Sequence, residues 1–357
     1  MVLFLSFPNT TATSLPLSPT KPPHSFIMTQ LLSLLATGLV LPLTALASPL
    51  LGRAVGDVRT LYKSNDTFYE NQFVVPNGKI LISTLTNNNI YIINPKDSVP
   101  TLQVVTTLTA GGRATGIASV HPGGDGSMGG TYAVVSGFEN GWILNNPVLN
   151  VFSLNGNVQY TIPGPTEPSL LNGLIDLPTY PGILLSADSA GGRIIRWNVH
   201  TQSFDVAVAD PALEGDYGNP ANPLPLGVNG IKIRGQYLYF TNTFQGTFGR
   251  FPIDNHGNKV GPVEIIVQLP LPTGFTNAFD DFVFDNAGNA YITQHPTSVI
   301  KVTPAGVVTT VAGTGGFTTP IMTPTSVGLS SNEKYLYVTT GMSEYSTGGI
   351  YEIEIPK

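Results

Sequence analysis

The chain contains no cysteine. Disulfides, thiolate catalysis and Cys-ligated zinc or iron–sulfur centres are therefore excluded. Charge is scarce as well: Asp, Glu, Lys and Arg make up 11% of the 357 residues, and the net charge is −6. No basic cluster occurs, so counterion release from DNA or RNA would have few cations to work with, and nucleic acid is not an expected partner. No convincing amphipathic helix follows Ala47. No Ser/His/Asp order, Gly-rich phosphate loop or H-E-x-x-H pattern is present. A chain without disulfides must rely on its core, which 357 residues with a 41% apolar fraction permit.

The N-terminus reads in two parts. Residues 1–27 are rich in Ser, Thr and Pro and show no periodicity. Residues 28–47 carry an apolar run, Leu31 to Leu43, followed by Ala45-Leu46-Ala47. This is the pattern of a signal peptide cleaved after Ala47. A membrane anchor is the alternative, but the run is short for a span and Pro42 interrupts it. The expected mature chain, residues 48–357, is one secreted domain with no stable membrane insertion. Asn65-Asp66-Thr67 forms an N-glycosylation sequon, which suits that destination.

What the mature chain does contain is a repeat. Short apolar runs ending in small polar residues begin at Ile80, Tyr132, Ile183, Leu238, Ala290 and Leu336. Their spacing is about fifty residues, and each copy holds several short strands, which together indicate a β-propeller. The first copy reads as four strands: "ENQFVV", "KILIST", "NIYIIN" and "LQVVTTLT". The last copy has only three strands before Lys357. The segment "VRTLYKS" from Val58 resembles the fourth strands of other copies and is expected to complete that blade. The predicted fold is all-β: a six-bladed propeller whose last blade is closed by an N-terminal strand, so that no sheet edge is left free.

In such a ring the starts of the first strands and the ends of the second strands surround one mouth of the axis. The first-strand positions are Glu70, Thr115, Asn172, Asn229, Asp280 and Ser326. The second-strand ends bring Thr84, Phe138, Trp142, Asp188, Asn242, Phe244, Phe248, His295, Met342 and Tyr345. Strand alternation predicts that Asp280 faces the axial cavity while Asp281 points away, bonding to backbone or to a neighbouring blade. Glu70, Asn172, Asn229 and Asp280 admit two readings. One is a hard-cation site, with calcium the natural occupant. The other is structural: Asn172-Gly173 and Asn229-Gly230 as turns, with the carboxylates bonded to backbone. His295 reads either as a general acid or base or as a hydrogen-bonded loop residue. Asp188 reads as a structural turn residue. Phe138, Trp142, Phe244 and Met342 are candidates for an apolar pocket wall.

These motifs carry two resemblances. Glu70 in "YENQF", Asn229 in "GVNGI" and Asp280 in "FDDFVFDNAGNAYIT" resemble the Glu, Asn-Gly and Asp motifs of the gluconolactonase and senescence marker protein 30 superfamily. That resemblance implies a divalent cation held by Glu70, Asn229 and Asp280, and lactone hydrolysis. The family's Asp-Gly is Asp280-Asp281 here, and its usual substrate signals are not apparent. The phrases "ENQFVVPNGKILIST", "LLNGLIDLP", "GVNGIKI" and "DDFVFDNAGNAYIT" resemble secreted fungal propellers related to the hetero-Diels–Alderases of tropolone–sesquiterpene biosynthesis. This second resemblance implies a [4+2] coupling of an ortho-quinone methide to a humulene-type alkene, with apolar polyketide and terpene partners and no required cofactor. Under it Asp280, Asn229 and His295 act on the enone, while Glu70, Asn172, Phe138, Trp142, Phe244 and Met342 bind substrate. A propeller serving only as a binding module is the third alternative.

Overall fold

The computed structural model describes residues 58–109, 112–120, 130–140, 143–217, 219, 222, 224–271, 273–313, 321–342 and 347–356. The proposed leader, its cleavage site, Trp142 and Tyr345 lie outside the described residues. Among the described residues no helix is long and apolar enough to cross a membrane.

Each repeated apolar run becomes the second strand of a four-stranded antiparallel sheet. These strands are buried on both faces, which is why they read as continuous apolar runs rather than as alternating ones. The segment Val58–Ser64 (β1) comes first in the chain and belongs to the last blade. Blade one is Tyr69–Val74 (β2), Ile80–Thr84 (β3), Asn89–Ile93 (β4) and Gln103–Thr107 (β5). Blade two is Arg113–Val120 (β6), Thr131–Asn140 (β7), Ile143–Ser153 (β8) and Val158–Pro163 (β9). Blade three is Leu171–Asp176 (β10), Ile183–Asp188 (β11), Arg193–Asn198 (β12) and Ser203–Ala209 (β13). Blade four is Val228–Arg234 (β14), Tyr237–Asn242 (β15), Thr247–Pro252 (β16) and Glu264–Gln268 (β17). Blade five is Ala278–Phe284 (β18), Ala290–His295 (β19), Ser298–Val302 (β20) and Val308–Ala312 (β21). Blade six is Pro324–Leu329 (β22), Tyr335–Thr340 (β23) and Gly348–Glu354 (β24), completed by β1.

The expected architecture is present: six four-stranded blades, the last closed by the strand at Val58. β1 pairs antiparallel with β24, Val58 opposite Ile353 and Ser64 opposite Gly348. Leu61 is buried in a cluster with Tyr69, Ile80 and Ile350, and Arg59 pairs with Glu352 at 3.2 Å. The apolar core is distributed over the seams between successive blades. Trp197 lies fully buried in one of them, its indole N–H donating to Ser186 at 2.9 Å. Hydroxyls also cross the seams: Ser83 donates to the carbonyl of Thr115 at 2.6 Å and Thr241 to that of Asp280 at 2.5 Å. A third, Thr293, donates to the carbonyl of Thr325 at 3.3 Å.

The ladders between first and second strands share an irregularity. Register slips between Tyr69 and Gln72, Ala114 and Ile117, Leu171 and Leu174, Val228 and Ile231, Phe279 and Phe282, and Pro324 and Ser326. Every innermost strand therefore carries a bulge near its start. A bulge breaks strict alternation and re-aims the side chains at that point, and here it sets the composition of the mouth.

Candidate functional site

The bulged pairs are Glu70-Asn71, Thr115-Gly116, Asn172-Gly173, Asn229-Gly230 and Asp280-Asp281, with Thr325 as the extra residue in blade six. Two sequence expectations are corrected here. Asn172-Gly173 and Asn229-Gly230 are not turns: they lie within β10 and β14. Their glycines are required for space. A Cβ on Gly173 would come within 2.6 Å of the Asn229 carbonyl, and one on Gly230 within 2.8 Å of the Asp281 Cα. The blade-six equivalent of Thr115 is Thr325, not Ser326. Thr115 donates to the carbonyl of Leu171, which precedes the next blade's bulge, and Thr325 donates likewise to that of Tyr69.

The first members of three bulges gather around one pair. Asp280 Oδ2 lies 3.2 Å from His295 Nε2, a carboxylate–imidazole contact with both side chains largely buried. Asn229 is buried, and its amide nitrogen donates to Thr243 Oγ1 at 3.0 Å. Thr243 in turn donates to the carbonyl of Phe279 at 2.9 Å. That chain fixes the amide's orientation: Thr243 has used its proton, so the Asn229 atom facing it must be nitrogen. Among the described residues Asn229 Oδ1 is then left buried without a partner, as are Asn172 Oδ1 and His295 Nδ1.

Burial dominates the electrostatics. Glu70 is held well above the ordinary carboxylate range, first by loss of water and then by the nearby Asp280 and Asp281 charges. Burial also raises Asp280, while the hydrogen bond and charge of His295 and a bond from Asn229 work against it. Two carboxyl groups in one dry space leave two outcomes: one keeps a proton, or a cation sits between them. Among the described residues no three His, Asp or Glu side chains are arranged as a metal set. A cation here would thus need the unpartnered amide oxygens of Asn172 and Asn229, which hold the equivalent bulge positions on β10 and β14, as well as the carboxylates. That donor set, two carboxylates and two amide carbonyls, is one that hard cations accept.

Asp281 does bond to neighbouring blades, but the expectation that it points away from the axis is corrected, because the bulge breaks strand alternation there. Its Oδ1 accepts from Lys232 Nζ of blade four at 2.5 Å, and its Oδ2 from Ser326 Oγ of blade six at 3.0 Å. Asn71 of blade one approaches Oδ2 at 3.4 Å. A carboxylate that starts on blade five and meets blades four, six and one can do so only near the axis.

The remaining expectations divide. Phe138 is 53% exposed, Phe244 and Met342 are half-buried, and all three follow or end second strands. Phe248 is not at the mouth: it lies on β16, 2% exposed, with its ring 5.1 Å from that of Phe282 in the seam between blades four and five. Asp188 is structural, accepting from the Leu170 and Gly191 amides and from Arg193. Asn242 ties down the segment before blade four through the carbonyls of Ala212 and Glu214. Thr84 accepts from the Thr86 amide in its own turn. Asn65 is exposed in the turn between β1 and β2. Sequence reasoning missed Lys232 altogether. Its signal was a cation three residues after Asn229 on an innermost strand.

No protein-family model matches the chain, and no curated protein matches it. Solved structures do. Regucalcin from Agrobacterium tumefaciens, described as a calcium-binding protein, is 15% identical with a TM-score of 0.59, over 84% of this chain and 94% of that one. A luciferin-regenerating enzyme is 12% identical with a TM-score of 0.56, over 84% and 95%. Virginiamycin B lyase from Staphylococcus aureus is 14% identical with a TM-score of 0.54, over 84% and 99%. At these identities the likeness is one of fold: the chain is a six-bladed propeller similar in architecture to regucalcin-type proteins.

Proposed function

We propose that the axial mouth is the active site of a secreted enzyme acting on small, largely apolar organic substrates. The reaction is a hetero-Diels–Alder coupling of an ortho-quinone methide with a humulene-type alkene. The observation that carries this reading is the buried Asp280–His295 pair beside a second acid, Glu70. Such a cluster can deliver a proton to a leaving hydroxyl and hold a hydrogen bond on the resulting enone oxygen. Loss of water from a hydroxymethyl-substituted tropolone requires two proton movements: one onto the departing hydroxyl, one off the ring hydroxyl. In this reading His295 and its partner Asp280 handle both. The cycloaddition that follows needs no nucleophile. Holding the two reactants in register supplies up to roughly 7–11 kcal/mol in favourable cases. Phe138, Phe244 and Met342 supply apolar surface at the rim, and Trp142 is proposed to join them. Asn229 differs from its expected role. Its amide nitrogen donates to Thr243, so in this reading the donor to the enone is His295 or a protonated acid.

The unpartnered Asn172 and Asn229 oxygens favour a second reading. Glu70, Asn172, Asn229 and Asp280 would hold a divalent cation such as calcium, which would polarise a substrate carbonyl, as lactone hydrolysis requires. One experiment separates the two. Purified protein, treated with chelator and then supplied with calcium or not, is assayed on a hydroxymethyl tropolone with humulene and on simple sugar lactones. The cycloaddition reading expects coupled product without calcium, partly retained in Asp280→Asn and lost in His295→Ala. Lactone turnover that depends on calcium and vanishes in Asp280→Asn would replace it. Secretion, cleavage after Ala47 and a glycan on Asn65 belong to the same proposal.

A further inference from the structure

Lys232 is an unusual neighbour for an acidic site. It is a cation on an innermost strand, three residues after Asn229, with its side chain 21% exposed. It lies over the Phe282 ring at 5.2 Å and meets one carboxylate oxygen, Asp281 Oδ1, at 2.5 Å. The chain makes room for that contact. Gly230 lies under the Asp281 carboxylate, and a Cβ there would come within 2.5 Å of Oδ1. The other oxygen of Asp281 is held by Ser326 and Asn71, and the Phe282 amide donates to Oδ1 at 2.8 Å. Asp281 is thus fixed by four blades' worth of partners and cannot follow the ammonium if it moves. Glu70, the residue before Asn71, stands close enough for Asp281 to act on it electrostatically, and among the described residues no cation forms an ion pair with it.

We propose that Asp281 is a positioning residue whose carboxylate holds the Lys232 ammonium out of the mouth, keeping Glu70 and Asp280 free for their work. The proposal rests on the reading of those two acids as working groups. The physical reason is simple: an ammonium in a poorly hydrated space goes to the nearest uncompensated carboxylate. Asp281 offers that partner first. Without it, Lys232 turns to Glu70 or Asp280 and occupies the site as an internal cation. This accounts for the second aspartate in "FDDF", which the mouth itself does not use.

The test is a rescue. Asp281→Asn and the double variant Asp281→Asn/Lys232→Met are crystallised, melted and assayed for coupling of a hydroxymethyl tropolone with humulene. In Asp281→Asn the Lys232 Nζ is expected within about 3 Å of a Glu70 or Asp280 oxygen, with turnover down on the order of 100-fold. Removing the ammonium in the double variant restores most of that loss. A merely structural Asp281 predicts the opposite, a double variant no better than the single one. Lys232 remaining beside the new amide, or turning to solvent, overturns the proposal, as does a double variant that stays inactive where wild type is active. If Asp281→Asn fails to fold, folding of the double variant supports the same cause, and failure of both overturns it. If wild type itself does not couple the substrates, the functional reading fails, while the position of Lys232 still decides this one.

Discussion

Glu70 and Asp280 are carboxyl groups of one mouth with unlike partners. Asp280 has an imidazole at 3.2 Å, whereas burial and the Asp280 and Asp281 charges act on Glu70. The folded chain therefore holds the Glu70 proton more tightly than the unfolded chain does. With a raised folded-state pKa, its contribution to stability is full below the ordinary carboxylate range and is lost as pH rises through the raised value. Glu70→Gln removes that loss. In chelator-treated protein the Tm of the variant is expected to gain on wild type as pH rises from about 5 to about 8. A difference that stays constant over this range would mean that Glu70 carries no excess proton. That carboxylates open the innermost strand of blade five was legible from the paired aspartates in a charge-poor chain. The partners of Asp281 were not, because Lys232 lies 49 residues upstream and Asn71 lies 210.

At the scale of elements, the strands were legible and their pairing was not. The runs from Ile80, Ile183 and Leu336 are buried strands, because apolar residues on both faces leave no solvated side. Phe248 was misplaced because a six-residue strand follows the turn after Asn242, and nothing in its sequence tells a third strand from a loop. The bulges were hidden for a related reason. A bulge is a mismatch between two strands, and it is invisible in either strand alone. β1 is the element on which most depends. It completes blade six from the far end of the chain, pairing six residues with β24 and burying Leu61. Deleting residues through Ser64 is expected to expose the β24 edge and cause aggregation, measured by light scattering during a melt. A soluble truncation with a cooperative transition would show that the ring stands without it.

At the scale of the molecule, the core is not a single centre. It is divided among the seams, and each seam joins two blades through apolar packing and hydroxyl-to-carbonyl bonds such as Ser83 to Thr115. No blade buries its faces without both neighbours. Unfolding is therefore expected to be all-or-none. The fluorescence of Trp197, one of the chain's two tryptophans, should report the same denaturant midpoint as far-UV circular dichroism. Separated midpoints would show that part of the ring opens on its own.

The sequence alone determined the strand-rich class, the sixfold repeat, the closing strand and the polar character of the mouth. All of these follow from local apolar runs, turn residues and their spacing. Only the tertiary structure decided which of the two adjacent aspartates meets His295 and which meets Lys232. It also decided that Asn229 donates to Thr243 and leaves its oxygen unpartnered among the described residues, and that Gly230 is there for the room it leaves. Those outcomes depend on contacts between blades distant in sequence, and on bulges that exist only once two strands have paired.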